Sequence, residues 1–423
     1  MPSEWSDVAL EDVADELTVG YVGPMASEYV DDGIPFLRSL NVDPLRINKN
    51  DLKFITPEFH SRIRKSRLTP GDVVIVRTGK PGACSVVPGW LADANCSDLV
   101  IVRCGPQLDN RFLAYYVNTV ACDHVAAHLV GAVQQHFNVG SARTLRLNLP
   151  PLAEQKAIAS ILGALDDKIE LNRRMNATLE AMARALFQSW FVDFDPVRAK
   201  LDGRKPEGMD KATAALFPDA FEESSLGPVP KGWKAGTLVE GFNLTMGQSP
   251  PGDTYNEEAN GLPFYQGRTD FGFRFPTRRI YCSAPTRYAK PGDTLVSVRA
   301  PVGDINMANE ECCIGRGVAA VRHNSGSISF TYHSMANLYP DFARFEAEGT
   351  VFGSINKDSF EKLRFVIPPT DIVFAYERQA GPLDEQIRTL DSQSRTLANL
   401  RDTLLPKLLS GELSVASIPK VKA

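Results

Sequence analysis

The chain contains one sequence pattern twice. Residues 68–82 read LTPGDVVIVRTGKPG and residues 289–303 read AKPGDTLVSVRAPVG. Both combine a Pro-Gly-Asp turn, a β-branched run, an arginine and a closing glycine. Further matches follow in the same order: Gly33 to Phe36 (GIPF) with Gly261 to Phe264 (GLPF), and Pro150-Pro151 with Pro368-Pro369. A repeat that keeps its order along the chain indicates two copies of one fold.

Each copy begins with a β-rich part and continues into a long helix. The runs DVVIVR, DLVIVR, TLVSVR and GVAAVR are β-branched and are separated by Gly, Pro and Asn, which predicts strands joined by turns. After Pro150-Pro151 a heptad pattern begins, and the second copy repeats it. The predicted seams contain Ile158, Leu162, Leu165, Ile169, Asn172, Asn176, Leu179, Ala183, Leu186 and Trp190 in the first helix, and Tyr376, Ala380, Leu383, Ile387, Leu390, Ser394, Leu397, Arg401, Leu404 and Leu408 in the second.

These patterns predict an α+β fold with two β-rich domains in a pseudo-two-fold repeat, joined by two long antiparallel coiled-coil helices. The alternative is that each helix packs only on its own β-rich domain. In the paired arrangement the polar residues Asn172, Asn176 and Ser394 lie near the helix centres, where we expect them to set the register. The predicted division is residues 1–151, a first β-rich domain; 152–195, a central helix; 196–232, a linker; 233–369, a second β-rich domain; 370–413, a distal helix; and 414–423, a tail.

Composition narrows the class of protein. The chain is 43% hydrophobic and 23% charged, which is typical of a globular protein. Its N-terminus lacks a signal-peptide pattern, and no apolar run approaches the roughly 20 residues that span a bilayer. The seven cysteines form no Cys-x-x-Cys pair, which argues against a disulfide framework or a zinc site. We therefore expect a cytoplasmic protein without a membrane association. We expect no metal site at His124 and His128 either, because the sequence offers them no third metal ligand.

The formal net charge is −5, but basic residues concentrate in two windows. Both windows, 46–80 and 268–299, end at the repeated Pro-Gly-Asp segment. This placement predicts anion binding by both copies, and the phosphate-contact candidates are Lys49, Lys53, Arg62, Arg64, Lys65, Arg67, Arg77, Lys80, Arg268, Arg274, Arg278, Arg279 and Arg299. The candidates for base reading are neighbouring polar residues, Arg38, Asn41, Gln134, Gln135, His136, Gln266 and Arg268.

Motifs for catalysis are absent from the sequence. Gly79-Lys80 is followed by Pro81 and has no P-loop frame, and Ser249-Pro250-Pro251 lacks the aromatic residue that an adenine methyltransferase motif requires. We therefore predict a binding protein with no catalytic residue, no metal site and no cofactor of its own.

Four segments of the chain are specific enough to compare with a known family. They are residues 149–176 (LPPLAEQKAIASILGALDDKIELNRRMN), 185–203 (ALFQSWFVDFDPVRAKLDG), 217–233 (FPDAFEESSLGPVPKGW) and 404–413 (LLPKLLSGEL). Through these segments the chain resembles the specificity subunit of type I restriction-modification systems. One departure is at Asp371, where the second helix lacks the Glu-Gln entry that Glu154 and Gln155 form in the first.

The resemblance implies that residues 1–151 and 233–369 are target-recognition domains for double-stranded DNA. Each domain would read one half of a bipartite, asymmetric site. The helices would set the spacer and dock two methyltransferase subunits, and endonuclease/translocase (restriction) subunits would join them. Methylation and cleavage, with S-adenosylmethionine, ATP and Mg²⁺, would belong to those partners.

A cluster of aromatic residues at the end of the first helix has two interpretations. Phe187, Trp190 and Phe191 share one helical face, so they would either dock a methyltransferase subunit or pack into the core of this chain. Two other functions also remain open from the residues alone. One is a duplicated coiled-coil adaptor that binds proteins and never touches DNA, and the other is a nuclease with dispersed carboxylates.

Overall fold

The computed structural model describes residues 4–129, 136–347 and 353–417. It divides into two compact units. Unit 1 is Met1–Leu171 with Gln393–Ala423, and unit 2 is Asn172–Ser392. Each unit therefore contains one β-rich domain and parts of both long helices.

The β-rich domain of unit 1 is built from short strands. They are β1 (Ser6–Ala9), β2 (Ala14–Val19), β3 (Tyr29–Val30), β4 (Ile34–Leu37), β5 (Val42–Asp43), β6 (Arg46–Ile47), β7 (Lys53–Ile55), β8 (Arg67–Leu68), β9 (Val73–Val76), β10 (Cys84–Val86), β11 (Ala94–Cys96), β12 (Leu99–Cys104) and β13 (Arg146–Leu149). The larger sheets have the orders β10-β9-β12-β2 and β3-β7-β4-β11-β8. Strand β9 is buried on both faces, because Val73 and Ile75 pack into one apolar cluster and Val74 and Val76 into another.

Short helices cover this domain. They are α1 (Leu10–Val13), α2 (Pro57–Arg62), α3 (Asn110–Thr119), α4 (Cys122–Ala127) and α5 (Val139–Arg143). Helix α3 begins after Asp109, whose carboxylate accepts a hydrogen bond from the backbone N–H of Phe112 at 2.9 Å. This cap satisfies an amide that the helix itself leaves unbonded. The buried face of α3 contributes Phe112, Leu113 and Tyr116 to the main core of unit 1.

The first long helix is α6 (Leu152–Phe191), which begins in unit 1 and ends in unit 2. The segment after it, predicted to be a linker, is ordered as α7 (Asp195–Leu201), α8 (Lys211–Leu216), β14 (Phe221–Ser224) and β15 (Gly227–Pro230). Val197 and Phe217 are buried in the main core of unit 2. The segment is therefore part of unit 2 and not an extended connection, because its apolar residues pack.

The second β-rich domain repeats the first. Its strands are β16 (Lys234–Thr237), β17 (Phe242–Met246), β18 (Tyr255–Asn256), β19 (Leu262–Tyr265), β20 (Tyr281–Cys282), β21 (Tyr288–Ala289), β22 (Thr294–Val298), β23 (Val302–Met307), β24 (Cys312–Ile314), β25 (Val318–His323) and β26 (Arg364–Ile367). The orders β23-β22-β25-β17 and β18-β20-β19-β24-β21 match those of unit 1 strand for strand. The predicted duplication is therefore confirmed at the level of sheet topology.

The helices of this domain are α9 (Leu238–Gly241), α10 (Ile328–Asn337), α11 (Tyr339–Ala347) and α12 (Lys357–Glu361), followed by the second long helix, α13 (Thr370–Leu409). Helix α13 begins at Thr370, the position that the repeat predicts from the start of α6 at Leu152. The absence of the Glu-Gln entry therefore does not change where the helix starts.

The two long helices run antiparallel within each unit. In unit 1, Ile158 and Leu162 of α6 share an apolar cluster with Leu408 of α13, and Asp166 is 2.6 Å from Arg401. In unit 2, the Tyr376 hydroxyl donates to the carbonyl oxygen of Ala183 at 3.1 Å. As the residue number rises along α6, the partner on α13 falls, which confirms the predicted antiparallel pairing. Within the described residues, no helix is both long and apolar enough to cross a membrane.

Candidate nucleic-acid interface

A cleft in unit 2 lies where three strands end. Gln266 follows β19, Arg299 follows β22 and Arg316 follows β24. These residues line the cleft together with Arg268 and Arg279, and its volume is about 900 Å³. The fold therefore gathers four of the predicted DNA-contact residues, Gln266, Arg268, Arg279 and Arg299, at one concave surface.

The buried carboxylate of Asp270 organises one wall of this cleft. One of its oxygens accepts a hydrogen bond from the backbone N–H of Gln266 at 2.8 Å, and the other lies 3.1 Å from the guanidinium of Arg279. The Arg279 side chain nevertheless remains exposed. Asp270 thus orients a cation without removing it from the surface.

Arg268 and Arg278 are also paired with acids, and both pairs are exposed. Arg268 lies 3.0 Å from Asp304, and Arg278 binds Glu310 through two contacts of 2.6 and 2.8 Å. Exposed ion pairs contribute little, about 0–1 kcal/mol, so an approaching phosphate can compete for either arginine. Arg278 does not line the cleft.

Arg299 and Arg316 differ from the other arginines of the cleft. Both are exposed, and neither has an acidic partner in the described part of the chain. Gly317 lets the Arg316 turn approach Gln266, since a Cβ at this position would lie 2.2 Å from the Gln266 carbonyl oxygen. The turn therefore requires glycine and brings Arg316 next to the residue at the end of β19.

In unit 1, Asp51 joins two of the predicted contact residues. It lies 2.7 Å from Arg38 and 2.7 Å from Lys53. The hydrogen bonds from Arg38 and Lys53 lower the pKa of Asp51 to about 2, so the carboxylate is ionised at neutral pH. The single carboxylate compensates one of the two cations, so this cluster keeps one net positive charge.

Most other predicted cations of unit 1 are also paired with acids. The pairs are Arg62–Glu28 at 3.4 Å, Arg67–Asp93 at 2.9 Å, Arg77–Asp98 at 3.3 Å and Lys80–Asp43 at 3.5 Å. Lys49 lies over the ring of Trp90, 4.4 Å from its centroid. Arg64 and Lys65 are exposed next to each other in a short 3-10 turn.

The prediction that Arg274 contacts phosphate is wrong. Its side chain is fully buried and pairs with Asp384 at 2.8 Å and with Glu180, while its guanidinium lies over the Tyr332 ring. Burial alone would lower the pKa of Arg274, but Tyr332, Asp384 and Glu180 together raise it. Arg274 stays charged and holds the domain to both long helices.

Asn41 is likewise unavailable for base reading. It is fully buried, its oxygen accepts from the backbone N–H of Arg38 at 3.1 Å, and its amide donates to the carbonyl oxygen of Asn50 at 2.9 Å. These bonds shape the loop after β4 and leave the side chain no surface for DNA. Gln134 and Gln135 lie outside the described residues, and His136 is half-buried.

The aromatic face at the end of α6 does not form a docking surface. Phe187 and Trp190 are buried, and half-buried Phe191 packs against the same core of unit 2. The ring of Trp190 lies 5.1 Å from Phe217 and 6.0 Å from Tyr376. Of the two interpretations, core packing is therefore correct, because the second β-rich domain and α13 cover this face.

The predicted register residues lie within the long helices. Asn172 and Asn176 are buried, and Ser394 is half-buried. The amide oxygen of Asn176 has no hydrogen-bond partner among the described residues. Their role in setting the register stays a prediction.

Sequence reasoning missed Arg316. The signal was present in the stretch GRG that precedes the strand GVAAVR, where two glycines flank an arginine at a strand end. The residue lay outside the basic window, which ended at Arg299. Among the described residues, no group of three or more His, Cys, Asp and Glu side chains is placed to hold a metal ion.

Comparison with known proteins finds a family model and several proteins that are similar to this chain. Residues 2–181 match the type I restriction modification DNA specificity domain. The putative type I restriction enzyme MjaX specificity subunit of Methanocaldococcus jannaschii is 25% identical, and the match covers 98% of this chain and 95% of that protein. Along nearly its whole length, the chain is therefore similar to a type I restriction enzyme specificity subunit.

Two further proteins are similar to this chain. The type I restriction enzyme HindI specificity subunit of Haemophilus influenzae is 27% identical over 64% of this chain and 70% of its own length. The crystal structure of a type I restriction-modification system S subunit from M. genitalium has the same fold, with a TM-score of 0.57, 15% identity and coverage of 99% of this chain and 97% of that chain.

Proposed function

We propose that this chain is the sequence-specific DNA-binding subunit of a type I restriction-modification complex and carries no catalytic activity of its own. The observation that carries the proposal is the cleft of unit 2, where Gln266, Arg268, Arg279, Arg299 and Arg316 meet at the ends of neighbouring strands. Guanidinium groups bind phosphate oxygens and guanine edges, and a glutamine amide can pair with adenine. Among specificity subunits, such a surface has DNA as its natural ligand.

Each β-rich domain reads one half of a bipartite, asymmetric site in this proposal. The identical strand order of the two domains supports it, since equivalent loops then present different side chains. In unit 1 the contact residues are Arg38, Lys49, Lys53, Arg62, Arg64, Lys65, Arg67, Arg77, Lys80 and His136, with Gln134 and Gln135 outside the described residues. In unit 2 they are Gln266, Arg268, Arg278, Arg279, Arg299 and Arg316.

The long helices set the spacer between the half-sites and dock two methyltransferase subunits, which restriction subunits can join. Because the aromatic face is buried, we assign the docking surface to the exposed side of α6 in unit 2. Met175 and Met182 are 38% and 53% exposed there and lie seven residues apart, on one helical face. Exposed methionines adapt well to a partner surface. S-adenosylmethionine, ATP and Mg²⁺ serve the partner subunits, and the complex works in the cytoplasm.

Docking is tested by co-purification of the methyltransferase subunit with the double variant Met175→Lys, Met182→Lys. We expect the partner to be lost from the complex, while the chain keeps its circular dichroism spectrum. Ala177→Lys is the matched control, because Ala177 is also exposed but faces another side of α6. Equal recovery of the partner with all variants would rule out this docking surface.

The DNA-reading role is tested by exchanging one domain. Residues 1–150 are replaced by the matching domain of a relative whose target is known, and methylation of the host genome is mapped. We expect one half-site to change while the other half-site and the spacer persist. The reciprocal exchange of residues 233–368 should change only the other half-site. Simultaneous change of both half-sites would contradict independent reading, and a chain that binds no DNA at all would favour the adaptor alternative.

A further inference from the structure

The two units carry opposite charges at one equivalent turn. Strands β11 and β24 are the equivalent strands that pair in parallel with β4 and β19, with Cys96 opposite Leu37 and Ile314 opposite Tyr265. The turn that follows contains Asp98 in unit 1 and Arg316 in unit 2. The turn is one residue longer in unit 2, so the equivalent turns carry an acid in one copy and a base in the other without matching residue for residue.

A second arginine lies next to this turn in both units. Arg77 directly follows β9, and Arg299 directly follows the equivalent strand β22. The backbone N–H of Arg77 donates to the carbonyl oxygen of Asp98, and that of Val298 donates to the carbonyl oxygen of Gly317, so Arg299 lies one residue beyond the counterpart of Arg77. Both units still place an arginine at the end of the same sheet strand.

The surroundings of the two arginines differ. Arg77 lies 3.3 Å from Asp98, and only 17% of its side chain is exposed. Arg299 and Arg316 are exposed at one cleft, and no acid pairs with either of them in the ranges that the structure describes. The turn is close to neutral in unit 1, whereas in unit 2 it holds two positive charges.

Two neighbouring cations that pair with no acid among the described residues repel each other, and a bound anion removes that repulsion. A phosphate that meets Arg299 and Arg316 displaces only their solvent counterions. A phosphate that meets Arg77 must compete with Asp98, which already occupies the guanidinium. The salt dependence of DNA binding reports such counterion release, with a slope of about −0.9 per phosphate contact.

We propose that Arg299 and Arg316 form a two-cation contact with the DNA phosphate backbone in unit 2 that unit 1 lacks, so that the two half-sites are held with unequal electrostatic strength. The inference rests on the proposed DNA-reading function and concerns how that function is divided between the units. At this turn, unit 2 makes the contact with the DNA backbone whose affinity depends more strongly on salt. At the same turn, unit 1 contributes no net charge.

The test is a salt titration of DNA binding by the full chain in its complex, on a duplex that contains the mapped target. The readout is the slope of the logarithm of the association constant against the logarithm of the salt concentration. Arg316→Gln should make the slope shallower by about 0.9. Between 50 and 200 mM salt this corresponds to about 3.5-fold less loss of affinity than in the wild type. Lys205→Gln removes the same charge from an exposed site of unit 2 away from the cleft and should leave the slope unchanged.

The reciprocal variant is Asp98→Asn in unit 1. It frees Arg77 from its acid, so the slope should become steeper by about 0.9. Asparagine tolerates the left-handed backbone of this residue, whose φ is 54°, so the turn is expected to keep its shape. Circular dichroism checks the folding of each variant.

Each outcome has one meaning. A wild-type complex that shows no salt-dependent binding to the duplex overturns the proposed function itself. Salt-dependent wild-type binding with an unchanged slope in Arg316→Gln overturns the two-cation contact alone. An unchanged slope in Asp98→Asn overturns the explanation that Asp98 keeps Arg77 from the DNA backbone.

Discussion

Units 1 and 2 hold the same type of β-rich domain against the same pair of helices, but they do so with different chemistry. In unit 1, Gln155 of α6 is fully buried. Its oxygen accepts from the backbone N–H of Asp109 at 2.8 Å, and its amide donates to the carbonyl oxygens of Gln107 and Pro150 at 2.9 and 2.8 Å. A neutral side chain thus ties the helix to the start of α3.

Unit 2 makes the equivalent connection with a carboxylate. The position of Gln155 is taken by Val373, and Glu377, one turn further along α13, accepts hydrogen bonds from the hydroxyl of Ser327 and from the backbone N–H of Ser329 at 3.0 Å. Ser327 caps α10, the counterpart of α3. The missing Glu-Gln entry is therefore compensated one helical turn later, and the contact has changed from neutral to charged.

A second pair of equivalent residues shows the same trend. Asp166 in unit 1 accepts from the Tyr115 hydroxyl at 2.5 Å and pairs with Arg401 of the other helix. Tyr115 is buried, whereas Asp166 and Arg401 are both partly exposed to solvent. Its counterpart in unit 2, Asp384, pairs with the fully buried Arg274. The comparison shows that unit 2 depends on charges in its interior, whereas unit 1 depends more on neutral hydrogen bonds.

The largest expected effect comes from Arg274→Met. This variant leaves Glu180 and Asp384 without their cation, and breaking a buried pair costs about 3–5 kcal/mol. Native-state hydrogen exchange of α10 measures the loss within unit 2. Arg278→Ala, which breaks an exposed pair, should cost less than about 1 kcal/mol. Similar values for the two variants would mean that the buried cluster is not what stabilises unit 2.

Gln155→Leu tests the neutral connection of unit 1. The change leaves the Asp109 N–H and two carbonyl oxygens without their partner, and unsatisfied buried groups cost about 1–3 kcal/mol each. We expect a loss of about 2–3 kcal/mol, since some of these groups can regain water at the edge of unit 1. Hydrogen exchange of α3 should report the loss, and α10 should be unaffected. An equal effect on α10 would contradict the assignment of this contact to unit 1.

Acid should weaken unit 2 before unit 1. Burial, with smaller effects of Arg274 and Arg184, lowers the pKa of His333 to about 3 from the ordinary 6.5. The unfolded chain then binds a proton that the folded chain excludes, so stability is complete above pH 6.5 and is lost as pH falls toward 3. The expected loss at pH 5 is about 2 kcal/mol.

His333→Phe should remove the His333 share of this pH dependence and leave that of His323 in the same unit, whose pKa is lowered by burial to about 4. Neither ring nitrogen of His333 has a hydrogen-bond partner among the described residues, so phenylalanine leaves no new group unsatisfied. In unit 1, the lowered pKa of Asp51 acts in a different range. Its contribution is present above pH 3.8 and is lost only as pH falls through about 2. Urea unfolding between pH 7 and 5 distinguishes the two. A pH dependence in His333→Phe equal to that of the wild type would assign the acid sensitivity to another group.

The smallest effect is expected from Asn176→Leu. The buried amide oxygen of Asn176 lacks a hydrogen bond in the described structure, so an apolar replacement should raise stability by about 1 kcal/mol. The variant should also weaken the selection of one helix register, because a polar seam residue fixes the register in simpler coiled coils. Thermal unfolding and light scattering measure both effects. A lower melting temperature of the variant would show that the Asn176 side chain makes stabilising hydrogen bonds in the wild type.

The sequence by itself determined the architecture of this protein. The ordered repeat predicts two copies of one fold, and the β-branched runs and heptads place strands and long helices within each copy. These features could be predicted because they depend on residues close together in the chain. Among the contact candidates, it also marked the segments around Gln266 and Arg299 that the fold gathers at the cleft.

Only the tertiary structure decided which of the marked side chains remain available. Arg274 and Arg279 lie in one basic window, yet Arg274 is buried by partners 94 and 110 residues away, while Arg279 remains at the surface. Phe187 and Trp190 form the same apolar helical face in the sequence in either case, so the sequence does not show whether a partner subunit or the second β-rich domain covers that face. A sequence shows charge and periodicity along the chain, but exposure and ion pairing depend on contacts between distant segments, which exist only after folding.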